Sequence, residues 1–164
     1  MHRLFKILES RMELLRENGY LESDISEDIY SSIIEVDQEA EISKEVLYNL
    51  DSKKLYLDPS ISLIKLSAIV GTNTTYLSNS INKHFGCNFK TLINKYRVEH
   101  CKKLLSTSPL SVPIKEIAKN SGYTSVSAFY ASFKKVTGVS PVQYRILIIC
   151  KKINKEFDKN TVNL

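Results

Sequence analysis

The chain has 164 residues, 43% hydrophobic and 25% charged, with five Gly and four Pro. That is an ordinary globular composition, enough for one domain or two small ones, and poor in the residues that turns of a β-fold require. The longest unbroken apolar run, Ile146 to Cys150, falls far short of the roughly 18–20 residues that span a bilayer, so no membrane contact is expected. Net charge is +5, divided into −6 over residues 1–55 (7 Lys+Arg, 13 Asp+Glu) and +11 over residues 56–164 (16 and 5). A polyanion is attracted to the second part and repelled by the first.

Residues 2–18 read as an amphipathic helix, with Leu4, Ile7, Leu8, Leu14 and Leu15 on its apolar side and Gly19 placed to stop it. Lys6 and Glu9 interrupt the apolar residues there, which argues against a secretory signal. Asp24 and Glu27 have capping-box spacing. Ile25, Ile29, Ile33, Val36 and Ala40 then follow one helical stripe, and a third helix is expected from about Ser43 to Leu50 with Val46, Leu47 and Leu50 inward. This acidic segment, 1–55, has three open readings: dimerisation, docking of another segment, or packing on the basic part. An amphipathic stripe shows burial and not the partner. The three cysteines, Cys87, Cys101 and Cys150, have no framework spacing, which fits a reducing, cytoplasmic setting.

Asp58-Pro59-Ser60 marks a break, because Pro59 disfavours helix at Asp58. Ser62 is placed to cap a helix carrying Leu63, Leu66 and Ile69. Gly71 and the N-cap Asn73 then lead into a helix from Thr74 to about His84, with Leu77 and Ile81 inward and Gly86 at its end. A long helix, Phe89 to about Ser106, follows. From Pro113 the pattern returns: Ile114, Ile117 and Ala118 at helical spacing, Gly122 in a tight turn, then Val126, Phe129, Phe133 and Val136 on one stripe, Gly138, and Pro141 opening another element. Helix, glycine turn, helix with a basic outer face is the helix-turn-helix pattern.

Residues 64–93 and 114–145 are an internal repeat. Leu66 pairs with Ile117, Ser67 with Ala118 and Gly71 with Gly122; beyond the turn Leu77 pairs with Phe129, Ile81 with Phe133, Lys83 with Lys135 and Gly86 with Gly138, so the second copy has one extra residue in its turn. The connector of about 18 residues spans about 27 Å. Successive major-groove faces along one side of B-DNA lie about 34 Å apart, so a connector of that length suits two reading helices in adjacent grooves.

These residues resemble the AraC/XylS family of bacterial transcription regulators. The second copy carries Ile114-x-x-Ile117-Ala118, Gly122-Tyr123, Phe129-x-x-x-Phe133-Lys134-Lys135, Gly138-x-x-Pro141 and Tyr144-Arg145. The first copy contributes Tyr76-Leu77, Phe85-Gly86 and Phe89, and the connector Arg97 and Lys103-Leu104-Leu105. The resemblance covers about residues 60–146. It implies an all-α fold of two helix-turn-helix subdomains joined by a long helix, contact with adjacent major grooves of double-stranded DNA, and control of transcription, commonly activation through RNA polymerase. The expected organisation is an acidic helical segment at 1–55, a double helix-turn-helix domain at 56–148 and a basic tail at 149–164, with homodimerisation through the N-terminal helices as one option. Ile81 departs from the family's usual Phe, and Ala131 stands where many members carry a long polar residue. Residues 1–55 are too short and too helical for the family's usual β-barrel effector domain, so no small-molecule pocket and no cofactor are implied.

On the first reading helix, Thr75, Ser78, Asn79 and Asn82 are the candidates for base contact, since Asn can pair bidentately with adenine. Ala131 cannot make such a pair, which assigns the second helix more to the backbone: Ser127 and Tyr130 face outward, and Lys134 and Lys135, like Lys83 on the first, suit phosphate. Thr74 and Ser125 lie at helix N-termini, where free N–H groups favour phosphate, or they act as caps. His84, Cys87, His100 and Cys101 do not make a zinc site: no Cys-x2-Cys pair exists, and His100 and Cys101, being adjacent, point about 100° apart on a helix. No phosphate loop or nucleophile triad is present, so an enzyme is not expected. The competing class is a protein-interaction adaptor that keeps the fold without specific DNA binding.

Overall fold

The computed structural model describes the backbone of residues 2–19 and 27–161, with side chains at 9, 10, 12–19 and 39–154. In chain order the elements are α1 (His2–Glu17), α2 (Glu27–Asp51), a 3-10 turn (Leu55–Leu57), α3 (Leu63–Val70), α4 (Thr74–Phe85), α5 (Phe89–Thr107), α6 (Ile114–Asn120), α7 (Val126–Thr137) and α8 (Pro141–Thr161). No strand occurs among the described residues, which form an all-α fold. Gly19 takes the left-handed conformation (φ 84°) just past the end of α1, where the sequence puts a stop. The Asp24 cap and the side chains of Leu4, Ile7, Leu8, Ile25, Ile29, Ile33 and Val36 lie outside the described residues.

The expected separate helix at Ser43–Leu50 is instead the continuous end of α2. The Ser43 hydroxyl donates to the Ala40 carbonyl at 2.8 Å, back along the same helix. That i−3 bond satisfies the side chain without breaking the backbone ladder. Val46 and Leu50, four apart, are fully buried, while Leu47 is 39% exposed because it points about 100° away from Val46.

The chain divides into two compact units. The first comprises residues 1–48 and 63–86, the second residues 49–62 and 87–164, so the 1–55 segment is shared between them. In the first unit α3 packs on α4, and Leu66, Leu77 and Ile81 are fully buried. The buried Ser80 hydroxyl donates to the Glu39 carbonyl at 3.0 Å, which fastens α4 to α2. Ile69 is 42% exposed: it lies in the last turn of an eight-residue helix whose middle residues, Leu66 and Ser67, are the buried ones.

In the second unit α5 packs against α6, α7, α8 and the 3-10 turn. Val98, Cys101 and Leu105 of α5 meet Ile117, Ala118, Tyr123, Phe129 and Phe133 in one core. Phe129 and Phe133 stack edge-on with centroids 5.6 Å apart, and Phe133 meets Tyr144 at 5.4 Å, the offset geometry that aromatic quadrupoles prefer. The expected four-residue stripe of α7 narrows to this Phe pair, since Val126 and Val136, at the helix ends, are 40% and 43% exposed. α8 starts with a capping box, Ser140 N–H donating to Gln143 Oε1 at 2.9 Å and Gln143 N–H to Ser140 Oγ at 3.2 Å. It then runs on through most of the basic 149–164 segment to Thr161. No helix among the described residues is long and apolar enough to cross a membrane.

Burial pushes the Cys101 thiol up to about 11, while Cys150 is exposed on α8. Since the thiolate is the reactive form, iodoacetamide applied to the native chain is expected to label Cys150 readily and Cys101 only after denaturation. Peptide mass mapping that found Cys101 modified as fast as Cys150 in native buffer would contradict this core.

Candidate nucleic-acid interface

The two repeat copies build their turns and caps by the same means. Gly71 and Gly122 both have positive φ, 77° and 82°, as each turn requires. Asn73 caps α4 by accepting from Tyr76 N–H at 2.9 Å. Ser125 caps α7 by accepting from Ala128 N–H at 3.4 Å. Gly86 and Gly138 close the two helices in the left-handed conformation. Caps at equivalent positions give each helix the same register relative to its own turn. Thr75, Ser78, Asn79, Asn82 and Lys83 on α4 therefore correspond to Ser127, Tyr130, Ala131, Lys134 and Lys135 on α7.

Within α4 the candidate residues share one face. Thr75, Asn79, Asn82 and Lys83 are exposed, and Thr74 and Ser78 are half-buried at its margin. At about 100° per residue, Thr75, Ser78, Asn79 and Asn82 fall within a sector of about 100°, opposite the buried Leu77 and Ile81. On α7, Ser127, Ala131, Lys134 and Lys135 are exposed, opposite Phe129 and Phe133. Tyr130 is half-buried, with its ring edge-on to Phe129 at 5.5 Å. Ser125 is exposed and engaged as the α7 cap.

Two features were missed from sequence. Lys83 is not free: its ammonium is paired with the Glu39 carboxylate of α2. That contact joins residues 44 positions apart and leaves no local signal. The second is a brace behind α7. Arg97 of α5 donates from Nε to the Tyr56 carbonyl at 2.7 Å and from Nη2 to the Asp58 carbonyl at 2.9 Å. Its guanidinium also lies over the Tyr123 ring, 5.4 Å from the centroid. Gly122 lies directly against this brace. A Cβ there would come 2.7 Å from the Tyr56 carbonyl oxygen, 2.9 Å from that of Leu57 and 3.0 Å from Arg97 Nε. Arg145, at the end of the repeat, ties α8 to the loop before α6 by donating to the Val112 carbonyl at 2.8 Å.

His84 is exposed and Cys87 half-buried beside Lys95, whose ammonium lies 3.7 Å from the sulfur. The His100 ring lies tilted against that of Tyr56, with centroids 5.9 Å apart, and burial lowers its pKa. These side chains belong to packing and surface, and no group of metal-binding residues occurs among the described residues.

A family described as a helix-turn-helix domain matches residues 66–146. An uncharacterized HTH-type transcriptional regulator of Staphylococcus aureus is 33% identical over 95 residues, 58% of this chain and 12% of that protein's length. The chain thus spans a small part of the curated relatives it matches. Among solved structures, the C-terminal domain of AraT, a response regulator from Geobacillus stearothermophilus, is 31% identical with a TM-score of 0.58, covering 65% of this chain and 84% of that domain. The DNA-binding domain of AdpA, solved in complex with a target DNA, shares the fold at 20% identity with a TM-score of 0.59, over 67% of this chain and 94% of that one. Two helix-turn-helix copies in one register, matched at this identity over most of a solved domain, make the chain a member of the AraC/XylS family of helix-turn-helix DNA-binding transcription regulators.

Proposed function

We propose that the chain is a sequence-specific regulator, an activator of transcription, that lays α4 and α7 in two adjacent major grooves. The observation that carries this reading is the matched pattern of the two helices: each turns its apolar pair inward and carries its candidate contact residues at equivalent positions on the opposite side. The AdpA domain, which has the same fold, was solved on its target DNA, and this supports double-stranded DNA as the partner. RNA polymerase is the partner that activation would require.

The division of labour follows from chemistry. Asn79 and Asn82 can each form a bidentate pair with adenine, and Thr75 and Ser78 can reach base edges or phosphates. The equivalent row on α7 offers Ser127, Tyr130, Ala131 and Lys134, in which the alanine has no group to read a base and the lysine suits phosphate. The α4 half-site therefore carries most of the sequence preference, while α7 anchors on the backbone. Thr74 and Ser125, at the two helix N-termini, add hydroxyls beside free N–H groups.

Selection of bound duplexes from a random pool tests this. The expected result is two half-sites about one helical turn apart, with the tightly constrained base pairs, adenines among them, confined to one half. Asn79→Ala should relax that half alone. Two equally constrained halves would overturn the division of labour. Failure to retain any duplex at low salt would favour the adaptor reading. Raised output from a promoter carrying the selected site tests activation.

A further inference from the structure

Lys83 and Lys135 occupy the same position on the two outer faces, yet their surroundings differ. The Lys83 ammonium is paired with the Glu39 carboxylate. Among the described residues, Lys135 has no ion-pair partner and is exposed. Glu39 is also held in place: its carbonyl accepts from the hydroxyl of Ser80, a side chain with no exposed surface inside α4. The Glu39 backbone is therefore anchored beside α4, which keeps its carboxylate within reach of the Lys83 ammonium.

We infer that Glu39 is a positioning residue that withholds Lys83 from the DNA backbone, so that the first copy engages duplex through base edges with one phosphate contact fewer than the second. This rests on the DNA-binding reading above. An exposed ion pair is weak in itself. Its effect here comes from placement, because a paired negative charge offsets the lysine's charge at the point where a phosphate would approach. A phosphate contact strengthens binding to every sequence alike. Suppressing one beside the base-reading face lowers binding to random DNA and leaves the reading of the site intact.

The experiment is a salt titration of binding by the full chain, on a mixed-sequence duplex and on the selected site. Glu39→Gln keeps the shape and removes the charge. It should steepen the log K versus log[salt] slope by about 0.9 and tighten binding about eightfold at about 0.1 M salt, on both duplexes. Glu39→Asp, which keeps the charge, should behave as wild type. Lys83→Ala alone should leave the slope unchanged, and Glu39→Gln with Lys83→Ala should return it to the wild-type value. A flatter slope from Lys83→Ala, with none of these changes from Glu39→Gln, would show that Lys83 already holds a phosphate and would overturn the inference. If the wild-type chain binds duplex and the Glu39→Gln slope is unaltered, only this inference falls. If it binds no duplex at low salt, the DNA-binding reading falls as well.

Discussion

Gly122→Ala is expected to cost about 2–5 kcal/mol, whereas Gly71→Ala, at the equivalent turn, is expected to cost about 1–2 kcal/mol. Both glycines have positive φ, so alanine is strained at either position by the left-handed penalty of about 1–2 kcal/mol. Only Gly122 adds a collision. Its Cβ would lie within 3.0 Å of two backbone carbonyl oxygens and of Arg97 Nε, and two of these atoms, the Tyr56 carbonyl oxygen and Arg97 Nε, are bonded to each other in the brace. Overpacking of this kind costs about 1–3 kcal/mol more. At Gly71 nothing lies within 4 Å of the added carbon. Against a net stability of about 5–15 kcal/mol, the larger loss is a substantial fraction of the whole. Urea denaturation of the two variants side by side measures the difference. Equal losses would mean that the close approach at Gly122 is relieved by an easy shift and that only the backbone conformation matters.

Lys134→Ala with Lys135→Ala is expected to weaken binding about 60-fold at about 0.1 M salt and to flatten the log K versus log[salt] slope by about 1.8, as for the loss of two phosphate contacts. The loss should be the same on the selected site and on random duplex, because phosphate contacts carry no sequence information. Both side chains are exposed, so folding stability should stay within about 0.5 kcal/mol of wild type. An unchanged slope would sink the assignment of these lysines to phosphate. A loss confined to the selected site would point to base contact instead.

The parts of the fold that the sequence made legible are those written in neighbouring residues. Asn73 and Gly86 bracket α4, and Ser125 and Gly138 bracket α7, since a cap and its helix lie within one turn of chain. The pairs Leu77 with Ile81 and Phe129 with Phe133 are fully buried as their spacing implies. What escaped the sequence joins distant segments. Arg97 was recognisable as part of a family pattern, but its acceptors, the Tyr56 and Asp58 carbonyls, lie 41 and 39 residues earlier. Backbone oxygens carry no residue-specific signature. Glu39 read as one acidic residue among many, and only packing sets it against Lys83. The continuity of α2 was hidden because serine is a poor helix-interior residue unless its hydroxyl finds a local acceptor, as Ser43 does at the Ala40 carbonyl. The exposed Val126 and Val136 mark the opposite failing, where helical periodicity assigns a face to residues in end turns that the core does not reach.

The bonds from Arg97 to the Tyr56 and Asp58 carbonyls also set where the chain can be cut. A fragment begun at Leu63 would retain α3 through α8 and every residue of the repeat, and would look complete by alignment. It would nevertheless strip Arg97 of both acceptors and leave a half-buried guanidinium without them. The second copy is therefore a split structure whose first piece precedes the first copy in the chain. A fragment that keeps both of Arg97's acceptors within an intact 3-10 turn begins no later than Leu55.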